Sequence, residues 1–596
     1  MAILPLQIGI LLTICLGISK AFLIPDGIQK VNTRYGDIVG FIDQVTFNSQ
    51  TKQVRKFLGI PYAEPPTGNL RFKKPVMKRT LPSPFKALSF GPICPQYNPT
   101  NETLSEDCLF LNIYTPTENA IGNKLKPVMI WVHGGGFFSG ASNAFGGDVI
   151  SVFNDVIVVT INYRLNALGF FSTHDGYAKG NYGLWDQHLA FRWVYENIGG
   201  FGGDNNNMTI FGESAGSSSV IYQMLYSGNV GIFKRVIAES GTLASWGVRN
   251  TDSIYNASLY FGQMLGCNDT IHSKLIKCLQ QKPERDVVLA SQRILSAYPA
   301  ITSSADFTWG PVYDAEFVPA KTNTILNELL KSEMKQTYQS FRSFDLMIGA
   351  NNFDGLVLFA VLAPFLKHPN NSSVDFQLFG EHLDDFVIPK ALESWLGEKP
   401  TELAIELTKR EYTDWDDPSN IVKKAISAAK LFTDFALNAP MIKTANGHTN
   451  AQSTTYVYQF SNAPPSDFIE TPPEIANDYA ANHADELPFV FGFQLNLQGY
   501  NGPVLYDNQT RNDVTLSEAV MRMWTNFAKS GNPNHPVSLQ SLYDVTWPEY
   551  DRTDEYYLEI NDKMSATSAK KRLNARAIEF WNNLIPDVQQ FSKANS

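Results

Sequence analysis

Short apolar runs separated by longer mixed stretches mark most of this chain. From Val128 the runs are continuous rather than alternating: "VMIWV", "DVIVVTINY", "MTIF", "RVIAES" and "DLMIG". Runs of that kind are strands buried on both faces, and the stretches between them are long enough for crossover helices. The pattern predicts an α/β fold with a large, mostly parallel central sheet flanked by helices. Upstream, "VNTRYGDIVGFI" and "VRKFLGIPYAEPP" are β-rich and bounded by Gly and Pro, which predicts an N-terminal antiparallel strand region. Residues Lys321 to Lys335 and Ile421 to Leu437 read as helices, and "TTYVYQF" as one more strand. In "AGSSSVIYQMLYS" the positions Val220, Ile221, Met224 and Leu225 have helical spacing, so a helix packs back on the sheet there. With no repeat, low-complexity tract or linker, residues 22–596 read as a single domain.

Composition agrees with a packed protein and narrows its partners. Of 596 residues, 44% are hydrophobic and only 18% charged, which excludes a disordered or coiled-coil chain. A net charge of −10 without a basic stripe argues against nucleic acid. The apolar stretch from Ile3 to Ile18, followed by Ser19 and Ala21, reads as a signal peptide (1–21) cut near Ala21. An uncleaved anchor is the competing reading, since Lys and Arg are lacking at the very start, but the run is short for a span. The C-terminal "DVQQFSKANS" is polar and carries no lipid-anchor or ER-retention signal, so a secreted protein without a stable membrane anchor is expected. Of five Cys, Cys15 lies in the leader and Cys94, Cys108, Cys267 and Cys278 remain. Three pairings are possible; joining near neighbours closes two short loops that an oxidising compartment would keep closed. Sequons at Asn101, Asn256, Asn268, Asn370, Asn371 and Asn508 lie in polar stretches suited to glycosylation, whereas Asn207, at the mouth of a buried strand, is expected to stay unmodified.

Candidate chemistry begins at "TIFGESAGSSS", with Ser214 between Gly212 and Gly216. Alone, a G-x-S-x-G match is most simply a small residue at a tight turn. A nucleophilic Ser there needs unfavourable backbone angles and tiny residues two positions to either side, which the glycines supply. It also needs a base and an oxyanion site. After "VMIWV" comes "HGGGFF", in which the N–H groups of Gly135 and Gly136, joined by that of Ala215 at the helix start, would make a three-donor hole. A flexible loop is the plainer reading of three glycines, although His133, Phe137 and Phe138 are unusual linker flanks. Six His follow Ser214; His272, His368, His382, His448 and His535 have polar surroundings and read as solvated, while His483 precedes the apolar "LPFVFGF" and is the candidate base. Asp354, just past "DLMIG", has the chain order expected of the acid. Glu213 sets a carboxylate beside Ser214, either to steady an imidazolium or leaving group or as a structural hydrogen-bond partner. No spacing such as C-x-x-C or H-E-x-x-H is present, so neither a metal nor an organic cofactor is implied.

With these residues in hand, the chain resembles the type-B carboxylesterase/lipase family of α/β hydrolases, which includes cholinesterases, carboxylesterases, bile-salt-activated lipases and the non-catalytic neuroligins. The resemblance runs from about Thr33 to Leu584 through "FLGIPYAEPPTGNLRF", "SEDCLFLNIYTP", "VHGGGF", "GNYGLWDQHLAFRWVYENIGGFGGD", "FGESAG", "HADELPFVFG" and "MRMWTNFAKSGNPN". It implies Ser214 as nucleophile, Asp354 orienting His483, the three-donor hole above, and disulfides Cys94–Cys108 and Cys267–Cys278. Many members have Glu at the acid position. Cholinesterases carry a choline-stacking Trp in the first disulfide loop; "CPQYNPTNETLSEDC" has only Tyr97, so choline esters are not the expected substrates. Trp246 falls near the family's acyl-pocket wall, and Phe137 and Phe138 would add aromatic lining; core packing is the alternative for each of the three. The expected activity is hydrolysis of a small-molecule carboxylic ester through an acyl-enzyme. A non-catalytic adhesion or structural protein and a lipase at lipid surfaces are the alternatives. Because the base must be neutral, activity is expected to fall below about pH 6 to 7.

Overall fold

The computed structural model describes residues 29–96, 103–117, 124–245, 251–297, 309–331, 333, 335–356, 377–449, 453–463, 481–493 and 509–595. Its strands are β1 (Gln29–Thr33), β2 (Gly36–Phe47), β3 (Gln50–Pro61), β4 (Phe85–Lys86), β5 (Phe110–Pro116), β6 (Lys126–Val132), β7 (Ile157–Ile161), β8 (Gly203–Glu213), β9 (Arg235–Glu239), β10 (Asp345–Asn351), β11 (Thr455–Phe460), β12 (Tyr556–Ile560) and β13 (Ala569–Lys571). Among the described residues they form one sheet in the order β1-β2-β3-β5-β7-β6-β8-β9-β10-β11-β12-β13, with β4 beside β2. The pairs from β1 to β7 along this path are antiparallel, and those from β7 to β12 are parallel. This is the expected α/β architecture: a parallel centre with an antiparallel N-terminal region.

Strand periodicity sends alternate residues into two cores. Along β6, Val128, Ile130 and Val132 join a core that includes the helices Tyr182–Asn197 and Ala215–Leu225. Met129 and Trp131 join the other, capped by the long helix Arg511–Ser530. There Trp131 is fully buried and meets Phe145, Phe211 and Phe491 with ring centroids 4.9 to 5.0 Å apart.

Three local features depart from the sequence reading. The helix expected over Lys321 to Lys335 is confined to Thr322–Leu329, and a 3-10 stretch follows at Gln336–Ser343. The helix expected over Ile421 to Leu437 is α-helical over Ile421–Phe432, passes through a π-turn at Thr433–Asn438, and resumes at Ala439–His448. Pro440, which has no N–H to give to the turn before it, accounts for that wider turn. His448 is not solvated: it is fully buried, contacting Thr455 Oγ1 at 2.7 Å and the Phe344 carbonyl at 2.9 Å, and burial pushes it down to about 4. His272 also has a partner, Asp175 Oδ2 at 2.6 Å.

Cys94 pairs with Cys108 and Cys267 with Cys278, which resolves the pairing in favour of near neighbours. Asn256 and Asn268 are exposed. Asn207 is partly buried and spends its amide on the Lys529 carbonyl (3.3 Å) and on Arg235 Nη1 (2.5 Å). Asn101, Asn370, Asn371, Asn508, Trp246, His368 and the leader lie outside the described residues. Among the described residues no helix is long and apolar enough to cross a membrane.

Candidate active site

β8 ends at Glu213 and the next helix begins at Ala215, leaving Ser214 at φ 57°, ψ −123°, a region L-residues occupy only under strain. The surroundings impose it. Ser214 N–H donates to the Glu239 carbonyl at 2.9 Å, and Ser218 N–H donates to the Ser214 carbonyl at 3.0 Å. A Cβ on Gly212 would lie 2.6 Å from the Val132 carbonyl oxygen, and one on Gly216 would lie 2.0 Å from that atom, so strand and helix cross only because both are glycine. Gly241 does the same from the far side, where a Cβ would sit 2.4 Å from the Ser214 oxygen. That glycine was not singled out from sequence.

The glycine loop after β6 packs directly on this turn. A Cβ on Gly134 would come within 2.7 Å of Glu213 Oε2 and 2.9 Å of Ser214 Cβ. Gly135 and Gly136 have φ of 97° and 61°. Among the described residues, none of the N–H groups of Gly135, Gly136 and Ala215 donates to a backbone carbonyl, so all three remain as donors beside Ser214. Phe137 is fully buried and meets Phe170 edge-to-face at 5.1 Å. Phe138 is half-buried, with its ring against Gly136.

The Asp–His pair is assembled. His483 Nδ1 lies 2.5 Å from Asp354 Oδ1, across 129 residues of sequence. The second Asp354 oxygen accepts from Ser240 Oγ at 2.7 Å and from Asn351 N–H at 2.8 Å. These two holders were not foreseen either, although Ser240 directly follows the β9 run and Asn351 ends β10. His483 and Asp354 are both buried.

The other imidazole nitrogen meets Glu213, in line with one of the roles expected of that carboxylate. Nε2 lies 2.9 Å from Glu213 Oε1. The contact is electrostatic rather than an aligned hydrogen bond, since Oε1 is a buried oxygen without a hydrogen-bond partner. Among the described residues Ser214 Oγ makes no hydrogen bond. The histidine therefore sits between two carboxylates. Burial would lower its proton affinity, but Glu213 and Asp354 outweigh that and hold His483 well above the ordinary imidazole range. Burial also raises Glu213, against the attraction of His483.

A strained serine on a strand-to-helix turn, above the carboxyl ends of a mostly parallel sheet, defines an α/β hydrolase. The chain belongs to the carboxylesterase family, whose model matches residues 28–581. It is 33% identical to human Neuroligin-2 over 609 residues, covering 94% of this chain and 68% of that protein. It is 32% identical to mouse Neuroligin-3 over 615 residues, covering 94% and 69%. It is also 33% identical to the duck (Anas platyrhynchos) medium-chain fatty acyl-CoA hydrolase precursor over 583 residues, covering 94% and 93%.

Proposed function

We propose that this protein hydrolyses carboxylic esters of small molecules through an acyl-enzyme on Ser214. His483 takes the Ser214 proton as Oγ attacks the ester carbonyl. The N–H groups of Gly135, Gly136 and Ala215 hold the oxyanion, and His483 returns the proton to the departing alcohol. Water repeats the cycle on the acyl-enzyme, with Asp354 fixing the imidazole tautomer throughout. The single observation that carries this reading is the strained Ser214, packed against the Gly134–Gly136 loop, with the buried His483–Asp354 pair held 2.9 Å from its neighbour Glu213. Similarity to the duck acyl-CoA hydrolase adds fatty acyl thioesters to the candidate substrates, because attack on a thioester reaches the same acyl-enzyme.

Two observations favour a second reading, a non-catalytic adhesion or structural protein: the similarity to neuroligins, and an imidazole Nε2 that lies 2.9 Å from Glu213 Oε1. Hydrolysis of a short-chain chromogenic ester by the wild type and by Ser214→Ala separates the two. The esterase reading expects a loss of about 10⁴-fold or more in the variant; equal, slow rates in both would leave the adhesion reading standing. A rate that steps up at the micelle threshold of a long-chain ester would move the assignment to a lipase.

We infer export through the secretory pathway, with the leader removed near Ala21 and glycans on the exposed sequons. Two disulfides and the lack of a spanning helix among the described residues are consistent with it. N-terminal sequencing of protein secreted by a eukaryotic host tests the cleavage, and the mass lost on deglycosylation tests the glycans.

A further inference from the structure

The core face of the sheet that carries Phe211, Ile237 and Met347 turns acidic at the carboxyl ends of its strands. In register, Glu213 of β8 stands opposite Glu239 of β9, Glu239 opposite Gly349 of β10, and Gly349 opposite Tyr458 of β11. Gly349 leaves the space that the Tyr458 ring fills, since a Cβ there would lie 2.2 Å from it. Two carboxyl groups thus stand on neighbouring parallel strands, about 4.8 Å apart in backbone spacing, with at most 5% of either residue exposed. Glu486 joins them from the segment after His483, its Oε2 accepting from Asn351 Nδ2 at 2.6 Å. Trp524 of the helix Arg511–Ser530 donates to Glu239 Oε1 at 3.1 Å.

This enclosure has more acceptors than donors. Glu213 Oε1, Glu239 Oε2, Glu486 Oε1 and Asn351 Oδ1 are all buried without a hydrogen-bond partner among the described residues, as is the Tyr458 hydroxyl. Two ionised carboxylates this close and this dry do not persist; one keeps its proton.

We propose that Glu239 is a positioning residue for His483: a neutral carboxylic acid that shares its proton with Glu213 across the β8–β9 pair and so sets the charge Glu213 presents to Nε2. The proposal rests on the esterase reading for its consequence. With the proton on Glu239, Glu213 is a carboxylate, and the imidazolium is held between two anions, unable to accept the Ser214 proton. With Glu213 neutral, only Asp354 supports the imidazolium, and Nε2 gives up its proton more easily. The direct exchange is one proton: the Nε2–H bond breaks, the Glu213 Oε1–H bond forms, the carboxylate becomes a carboxylic acid, and the imidazole becomes neutral. The groups facing this site are Glu213 from β8, Asp354 after β10, Tyr458 from β11, and His483 and Glu486 from one segment. Burial, reinforced by the charge of Glu213, pushes Glu239 well above the usual carboxylate range, and Glu486 is raised in the same way.

The test is the titration of His483, followed in two ways across wild type, Glu213→Gln and Glu239→Gln. One is the downfield proton resonance of its Nδ1–H, which needs no turnover; the other is the acid limb of kcat/KM on the chromogenic ester. Removing the Glu213 charge is expected to move both down by at least about one pH unit. Glu239→Gln keeps an acceptor for Trp524 but removes the carboxyl with which Glu213 shares the proton, so Glu213 is left ionised opposite the imidazolium and the titration moves up. A purely structural role would not give shifts of opposite sign. If Glu239→Gln leaves the resonance unmoved or moves it down, the proposal falls whatever the activity. Opposite shifts of the resonance without ester turnover would sustain the proton sharing while the esterase reading fails. Should Glu239→Gln not fold, the wild type decides: the infrared spectrum at neutral pH is expected to contain the band of a buried neutral carboxylic acid, and its absence overturns the proposal.

Discussion

Ser214 stores strain that its neighbours maintain, and His483 sits between the carboxylates of Glu213 and Asp354. The carboxylates at both imidazole nitrogens hold the folded His483 well above the ordinary value. A base with raised proton affinity is neutral only at higher pH, so the acid limb of kcat/KM belongs above the pH 6 to 7 expected of an unperturbed imidazole. A pH–rate profile checks this, and a limb at or below pH 6 would contradict it. Asp354→Asn should keep the fold, since the amide can still accept from Ser240 and Asn351, yet lower kcat by about 10⁴-fold through the wrong imidazole tautomer; single-ester kinetics with a circular dichroism control measure both. At this scale Ser214, His483, Asp354 and the glycines were legible, because each has a local signature beside an apolar run. Ser240, Asn351, Glu239 and Glu486 were not, because a single buried polar residue looks in sequence like any other, and only the fold brings them to the ends of β8, β9 and β10.

The elements matter through how closely they cross. β6, β8 and the helix after Ser214 meet at backbone contact, with Gly216 at the crossing. Gly216→Ala should therefore cost about 1–3 kcal/mol from overpacking, and more if the turn cannot shift; urea denaturation reads the loss, and an unchanged midpoint would show that the crossing is looser. The continuous apolar runs made β6 to β10 legible. β5 was harder, because buried Asn112 interrupts its run: Asn112 is tied to Gly59 N–H, Ser142 Oγ and Thr160 Oγ1, pairings that lie far off in sequence. The π-turn at Thr433–Asn438 could not be read from periodicity, since it arises where Pro440 removes a donor and where Thr433 Oγ1 accepts from Gly355 N–H beside Asp354.

Over the whole molecule, distant segments are tied by buried polar pairs and by the disulfides. Arg164 and Asp186 form a buried bidentate pair, both bonds 2.7 Å, and Arg164 Nη2 also donates to the Lys73 carbonyl. Asp186→Ala would strand the guanidinium and should cost about 3–5 kcal/mol, read as a lowered unfolding midpoint. Opening either disulfide releases a loop of 14 or 11 residues of separation and should cost about 3 kcal/mol in the chain-entropy account. Family and architecture were legible across nearly the full chain, because colinear motifs recur along it on both strands and helices.

The central claim is that Ser214 is an activated nucleophile, and covalent trapping tests it most directly. The native protein is treated with a serine-reactive phosphonyl fluoride and its intact mass is measured, beside Ser214→Ala. The expected result is one adduct per chain, mapped to Ser214 and lost in the variant; no adduct on the folded wild type, or an adduct that persists in Ser214→Ala, would contradict it.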